Sequence, residues 1–161
     1  MKFILINMNN PILKNVQIRA VKFGKDVVVI KPVNLYECTV GDNCFIGPFV
    51  EIQKDVVIGS NCKIQSHAFI CELVTIGNNC FISHGVMFIN DSFKSGRPAG
   101  GDKTKWKSTT VGNNVSIGTN STILPVNICD NVIVGAGAVV TKSIELAGIY
   151  AGNPARKIKS L

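Results

Sequence analysis

The stretch VGDNCFIGPFVEIQKDVVIGSNCKIQSHAFICELVTIGNNCFISHGVMF, residues 40–88, carries an apolar residue at every sixth position. These anchors are Val40, Ile46, Ile52, Ile58, Ile64, Ile70, Ile76, Ile82 and Phe88. Four places after each of the first eight anchors stands a small or β-branched residue. Gly, Asn and Asp recur between them and suit tight turns. Nine anchors in one register predict a parallel β-helix, in which each hexad forms a short strand and a corner.

We interpret residues 1–161 as a single domain, and the presence or absence of the six-residue period divides it into segments. The anchors resume at Val111, and they slip once, because Ile128 follows Ile123 by five residues instead of six. A tightened corner is expected there. The expected segments are an irregular N-terminal segment (1–26), the first coils (27–88), a projecting loop (89–109), the last coils (110–142) and a C-terminal cap of irregular chain with one helical turn (143–161).

Composition and net charge limit the kinds of molecule that this chain is expected to bind. Hydrophobic residues make up 46% of the chain, aromatic residues only 7%, and the formal net charge is +7. A positive balance suits nucleic acid, an anionic membrane or a phosphate-rich small ligand. The basic residues gather in the loop and the cap, and stacking aromatics are few, which argues against nucleic acid. No apolar run approaches the roughly 18 residues of a membrane span. The N-terminus does not resemble a signal peptide, so we expect a cytoplasmic protein.

The pattern [Ile/Val/Leu]-Gly-x-x-[small]-x resembles that of the hexapeptide-repeat acyltransferases. This resemblance implies an all-β fold, a left-handed parallel β-helix in which three hexads form one triangular coil of 18 residues. The handedness rests on the resemblance alone, because the general crossover rule would give a right-handed helix.

An 18-residue coil gives the cysteines a structural interpretation. Cys44, Cys62 and Cys80 are 18 residues apart and should stack in one interior column at a spacing of about 4.8 Å. Cys71 and Cys129 occupy turn positions and are expected to be more exposed. No C-x-x-C motif is present and the chain has only two histidines, so we predict no metal site and no disulfides.

The candidate catalytic residue is His84, two residues after the anchor Ile82 and therefore at a corner, with Ser66 one coil below. Asn90 and Asp91 follow on the next corner, and Glu72 falls beneath Asn90. We expect these polar residues to gather with His84 around the base of the projecting loop.

The other histidine, His67, occupies the turn position that the repeat otherwise gives to Asn. Histidine is enriched at positive φ, so His67 suits a corner whether or not it binds a ligand. It is our second candidate for contact with a substrate.

Four stretches resemble bacterial N-acyltransferases that act on nucleotide-linked amino sugars, above all on dTDP-3-amino-3,6-dideoxyhexoses. They are IGPFVEIQ (46–53), KIQSHAFICELVTIG (63–77), HGVMFIND (84–91) and YAGNPARKI (150–158). The resemblance implies a homotrimer with sites between subunits, acetyl-CoA as co-substrate, and N-acetylation of a nucleotide sugar for surface polysaccharide such as lipopolysaccharide. His84 would take the proton of the amine. In some members the leaving sulfur takes it, and His84 would then mainly position the amine.

The resemblance also assigns the acyl-donor groove. Gly118 and Ala136 match positions whose backbone approaches the pantetheine arm, and Lys142 and Arg156 match basic positions near the phosphates. Further cations and Trp106 in the projecting loop suit an anionic substrate.

Three other functions compete with this interpretation. An O-acetyltransferase acting on a sugar or serine hydroxyl would also use His84 as a base. A zinc carbonic anhydrase of the same architecture requires three histidines per site, whereas this chain has two. A non-catalytic scaffold or nucleic-acid binder would use the positive charge alone.

Overall fold

The computed structural model describes residues 17–161, which form three parallel sheets arranged as the faces of a triangular prism. Sheet A contains β1 (Ile18–Arg19), β4 (Asn34–Tyr36), β7 (Glu51–Ile52), β10 (Phe69–Ile70), β13 (Met87–Phe88), β16 (Thr122–Ile123) and β19 (Val139–Val140). Sheet B contains β2 (Lys22–Phe23), β5 (Thr39–Val40), β8 (Val57–Ile58), β11 (Val74–Ile76), β14 (Thr109–Val111) and β17 (Asn127–Ile128). Sheet C contains β3 (Val28–Val29), β6 (Phe45–Ile46), β9 (Lys63–Ile64), β12 (Phe81–Ile82), β15 (Ser116–Ile117), β18 (Val132–Val134), β20 (Gly148–Ala151) and β21 (Arg156–Lys159).

The anchors form the core, as the six-residue period predicts. Ile46 pairs with Ile64, which pairs with Ile82, so that identical side chains stack along the interior of sheet C. All three are fully buried. Burial of an aliphatic side chain of this size stabilises the fold by about 1.5–3 kcal/mol. The prediction of a parallel β-helix is confirmed.

The cysteine column is also confirmed. The Cys62 N–H lies 3.4 Å from the sulfur of Cys44, and the Cys80 N–H lies 3.4 Å from the sulfur of Cys62. All six cysteines are free thiols. The expectation that Cys71 is exposed is wrong: its side chain points into the core and is 3% exposed, whereas Cys129 is half-buried.

Both ends of the prism differ from the expected segments. Residues 18–23, assigned above to an irregular segment, form β1 and β2, which pair with β4 and β5, so the coils begin earlier than residue 27. The rest of that segment, residues 1–16, lies outside the described residues. The cap contains a hairpin of β20 and β21 in place of the expected helical turn. Its antiparallel pairing covers the last parallel strand of sheet C.

Strand ends define three corners, and each is a column of turns. The C–A corner comprises residues 47–50, 65–68, 83–86, 118–121 and 135–138. The A–B corner comprises residues 37–38, 53–56, 71–73, 124–126 and 141–143, together with the projecting loop 89–108, which holds one turn of 3-10 helix at Lys103–Lys105. The B–C corner joins sheets B and C. The tightened corner is confirmed at residues 124–126, where Thr122 pairs with Val139, 17 residues later.

Candidate active site

His84 lies on the C–A corner with its imidazole exposed. Its backbone is held from above, where the Asn120 N–H donates to the His84 carbonyl at 2.9 Å. Its Nδ1 lies 2.7 Å from Oγ of Ser66, one coil below. When Nδ1 carries the proton and donates to Ser66, Nε2 presents a lone pair to solvent. The arrangement can therefore accept a proton from a bound molecule.

Ser83, the residue before His84, explains why the repeat departs from glycine here. On the same corner this position is Gly47 two coils below, Gln65 one coil below and Gly118 one coil above; an added Cβ at Gly47 or Gly118 would meet the backbone of the next coil at 2.9 or 2.5 Å. Ser83 instead faces Thr119, and the two hydroxyls form a hydrogen bond of 2.8 Å. The pair fixes the corner on which His84 stands.

Gly118 and Ala136 lie above His84 on the same corner, as the predicted groove requires. The Gly118 N–H donates to Val134, and its carbonyl accepts from Ser121, so both its backbone groups are already paired within the coils. In the described part of the chain, no hydrogen bond uses the Ala136 N–H. Gly118 thus allows the next coil to approach closely, while the Ala136 N–H has no partner among the described residues.

His67 adopts the predicted positive φ, at 63°. Its ring stacks on Phe49, one coil below, with the ring centroids 4.9 Å apart and the planes 15° apart. Sequence analysis missed Phe49. The available signal was its place in the turn slot 18 residues before His67.

Asn90, Asp91 and Glu72 lie on the A–B corner at the base of the projecting loop. Glu72 forms an ion pair of 2.6 Å with Lys103, and the Asn90 side chain donates to the Glu72 carbonyl at 3.3 Å. Asp91 accepts hydrogen bonds from the N–H groups of Phe93 and Ala99, at 2.9 and 2.7 Å. These residues shape the loop, whose cavity of about 350 Å³ is lined by Asp91, Lys94, Ser95, Thr104, Lys105 and Lys107.

The expectation that these residues gather with His84 is therefore wrong for a single chain. β13 separates them: His84 precedes the strand and Asn90 follows it, so the two stand on different corners. The 18-residue spacing predicted the stacking of Asn90 on Glu72 correctly. It carried no information on the distance between columns.

Lys142 and Arg156 do come together. They line one cavity of about 320 Å³ at the top of the prism, with Lys157 and Tyr150 beside them. Three cations around one opening suit a phosphate group.

Residues 17–161 contain neither a membrane-spanning helix nor a cluster of metal ligands. No helix there has the length and hydropathy to cross a membrane. No three His, Cys, Asp or Glu side chains in this part of the chain come together as ligands for a metal ion.

Comparisons with known proteins match two parts of the chain to repeat families. Residues 37–72 match bacterial transferase hexapeptide (six repeats), and residues 108–142 match the hexapeptide repeat of succinyl-transferase. The fold is similar to that of AntD, an N-acyltransferase from Bacillus cereus whose structure contains dTDP and 3-hydroxybutyryl-CoA. That similarity has a TM-score of 0.77 and 27% identity, and it covers 88% of this chain and 82% of AntD.

Curated relatives match over shorter segments. A probable macrolide acetyltransferase of Lysinibacillus sphaericus is 50% identical over 52 residues, 32% of this chain and 29% of that protein. The galactoside O-acetyltransferase of Escherichia coli is 47% identical over 53 residues, 32% of this chain and 26% of that protein. The matches thus span less than a third of each curated relative. Together with AntD, they show that the chain is similar to acyltransferases.

Proposed function

We propose that this chain, a hexapeptide-repeat protein resembling the acyl-CoA-dependent acyltransferases, transfers an acetyl group from acetyl-CoA to the amine of a nucleotide-linked amino sugar. The best candidate acceptor is a dTDP-3-amino-3,6-dideoxyhexose used for surface polysaccharide, including lipopolysaccharide. One observation carries the proposal. His84 is exposed on the C–A corner with Nδ1 hydrogen-bonded to Ser66, one coil below Gly118. The similarity to AntD supports the choice of acceptor.

In the proposed reaction, the neutral amine attacks the thioester carbonyl, a C–N bond forms, and the C–S bond breaks. Nε2 of His84 takes the proton from the amine and passes it to the departing sulfur, which leaves as free CoA. The imidazole suits both transfers, because one ring nitrogen can accept and release a proton while the other keeps its hydrogen bond. Ser66 holds the ring through Nδ1, so that Nε2 faces the reactants.

The acyl donor is proposed to lie along the C–A corner above His84. The Ala136 N–H, which takes part in no hydrogen bond among the described residues, can donate to the pantetheine arm, and Gly118 lets the backbone of Ala136 approach the coil below. Lys142 and Arg156 are proposed to bind the phosphates of CoA at the top of the prism. Acetyl-CoA is a co-substrate, and the reaction needs no metal.

The division of the polar residues between two corners fits a site shared between subunits of a homotrimer. The loop of one subunit would bring Asn90 to His84 of its neighbour. Asn90 is the better amine ligand, because its side-chain oxygen is free, whereas Glu72 pairs with Lys103 and Asp91 binds backbone N–H groups. Exposed apolar residues on sheets A and C, including Met87, Phe81 and Ile133, offer surface for such contacts.

A second candidate is O-acetylation of a sugar hydroxyl. The segment shared with galactoside O-acetyltransferase favours it, and a base at His84 could activate a hydroxyl as well as an amine. The two reactions differ in the acceptor group, so substrate assays separate them.

The test is release of free CoA from acetyl-CoA with a panel of dTDP- and UDP-linked amino sugars and their hydroxy counterparts. We expect release with an amino sugar, and a decrease of about 10²–10⁴-fold in kcat for His84→Asn. Thr75→Ala, on the exposed face of sheet B, is the control and should match the unaltered protein. Release with hydroxy sugars alone would establish the O-acetyltransferase, and no release with any amine would overturn the N-acetyl proposal.

A further inference from the structure

We infer that Phe49 and His67 form a stacking subsite for the pyrimidine base of the acceptor nucleotide. The inference deepens the proposed function, because it rests on a nucleotide-linked acceptor at His84. It places the pyrimidine base, which does not react, against a particular surface of the chain.

Phe49 occupies a backbone position that disfavours it. Each coil has a left-handed slot three residues after an anchor, and in Phe49 this slot has φ of 61°. A bulky residue at positive φ is strained, and such strain clusters at functional sites. The ring is also 56% exposed. Most slots hold Asn, Asp or Gly, namely Asn43, Asp55, Asn61, Asn79, Gly85, Asn114, Asn120, Asn131 and Gly137.

The two rings form one stack on the corner that carries His84. His67 and Phe49 lie one and two coils below the turn of His84, linked by the hydrogen bonds from Gly85 N–H to Ser66 and from His67 N–H to Pro48. Coils are spaced by about 4.8 Å. Near-parallel stacked rings leave an outer face on which a further planar ring can stack.

Polar groups beside Phe49 suit the edge of a base. Phe49 forms one wall of a cavity of about 300 Å³ whose other walls include Pro32, Val33 and Val50. Asn34 and Glu51 complete the lining, and they provide an amide and a carboxylate to pair with the carbonyl and N–H groups of a pyrimidine. An apolar cavity with a few polar groups is the usual form of a small-molecule site.

CoA also contains a base, but its adenine belongs at the other end of the corner. The proposed acyl-donor groove rises from His84 past Gly118 and Ala136 to Lys142 and Arg156. The Phe49 surface lies below His84. The base that reaches it is therefore that of the acceptor.

The test uses Phe49→Asn, which removes the ring and places in the slot the residue that tolerates its φ best. Leu73→Asn is the matched control, because Leu73 has φ of 72° in the same slot on the A–B corner. Binding of dTDP, UDP, CoA and inorganic pyrophosphate is measured by calorimetry. Loss of one stacking contact should lower the affinity for dTDP or UDP about tenfold or more in Phe49→Asn. The affinities for CoA and pyrophosphate should not change. Leu73→Asn should bind all four like the unaltered protein.

The thermal midpoint of Phe49→Asn should equal or exceed that of the unaltered protein, which separates lost binding from unfolding. Unchanged dTDP and UDP affinity in a folded Phe49→Asn protein would overturn the inference. So would loss of CoA affinity alone, or a failure of the unaltered protein to bind either nucleotide. Phe49-dependent nucleotide binding without acetyl transfer to any acceptor would leave the subsite standing and refute the proposed function.

Discussion

Oγ of Ser66 and Nδ1 of His84 lie 2.7 Å apart, on successive coils of one corner. The contact joins residues 18 positions apart in sequence, so it depends on the stacking of coils and not on a local turn. Because Ser66 engages Nδ1, it selects which imidazole nitrogen faces the solvent. Ser66 is thus a positioning residue for His84.

In the proposed reaction Nδ1 carries the proton and donates to Ser66, so replacing Ser66 with Ala should leave the imidazole free to adopt either tautomer. We expect kcat to fall about fivefold, since a hydrogen bond of this kind contributes about 1 kcal/mol, while the KM for acetyl-CoA stays unchanged. The ¹⁵N shifts of the His84 ring, with His67 as internal reference, should change from the Nδ1–H form to a mixture. Ser66→Thr should restore both. An unchanged His84 tautomer in Ser66→Ala would contradict the positioning role.

Neutralising Lys142 or Arg156 should weaken the binding of the acyl donor. Lys142→Met and Arg156→Gln should each raise the KM for acetyl-CoA about tenfold, as expected for loss of a charge-assisted hydrogen bond to phosphate. The acceptor KM should not change. Lys22→Met, on the exposed face of sheet B, is the control. If Lys142→Met raises the KM for acetyl-dephospho-CoA as much as the KM for acetyl-CoA, then Lys142 does not bind the 3′-phosphate of CoA.

Gly59→Ala should destabilise the prism. A Cβ at Gly59 would lie 2.7 Å from the backbone of Gly77, so the coils must move apart, at a cost of about 1–3 kcal/mol. Gln65→Ala, at the equivalent position of another corner, should change the free energy of unfolding by less than about 0.5 kcal/mol. Urea unfolding measures both. Equal effects would show that coil contact does not require glycine at position 59.

The thiols should differ in reactivity toward iodoacetamide. Burial raises the pKa of Cys71 to about 12, so at pH 8 almost none of it is the reactive thiolate. Cys129 is half-buried and should be alkylated first. Mass spectrometry of the native protein at pH 8 should find the label on Cys129, and on Cys71 only after urea is added. Early labelling of Cys71 would contradict its place in the core.

The interior of this fold could be predicted from sequence because a strict period fixes which residues share a column. Ile46, Ile64 and Ile82 stack as expected, and so do Cys44, Cys62 and Cys80. Cys71 shows the limit of the method. A turn position does not determine whether the side chain points inward. The side chain of Cys71 points inward and is buried.

The site was less predictable, because its geometry depends on distances between columns. Sequence spacing stacked Asn90 on Glu72 but could not show that β13 separates them from His84. The same spacing placed Ser66 below His84, and only side-chain orientation revealed the hydrogen bond between them. At the N-terminal end, β1 and β2 lie outside the regular hexad, yet they pair with β4 and β5, and Ile18 and Val21 pack against the core.

The projecting loop interrupts the chain without interrupting the sheet. Val74 pairs with Thr109 and Ile76 with Val111, in the register that the neighbouring coils also use. The register of sheet B thus does not depend on the length of residues 89–108. This segment can be lengthened or shortened while the strands on either side of it, and the corner bearing His84, keep their places in the prism.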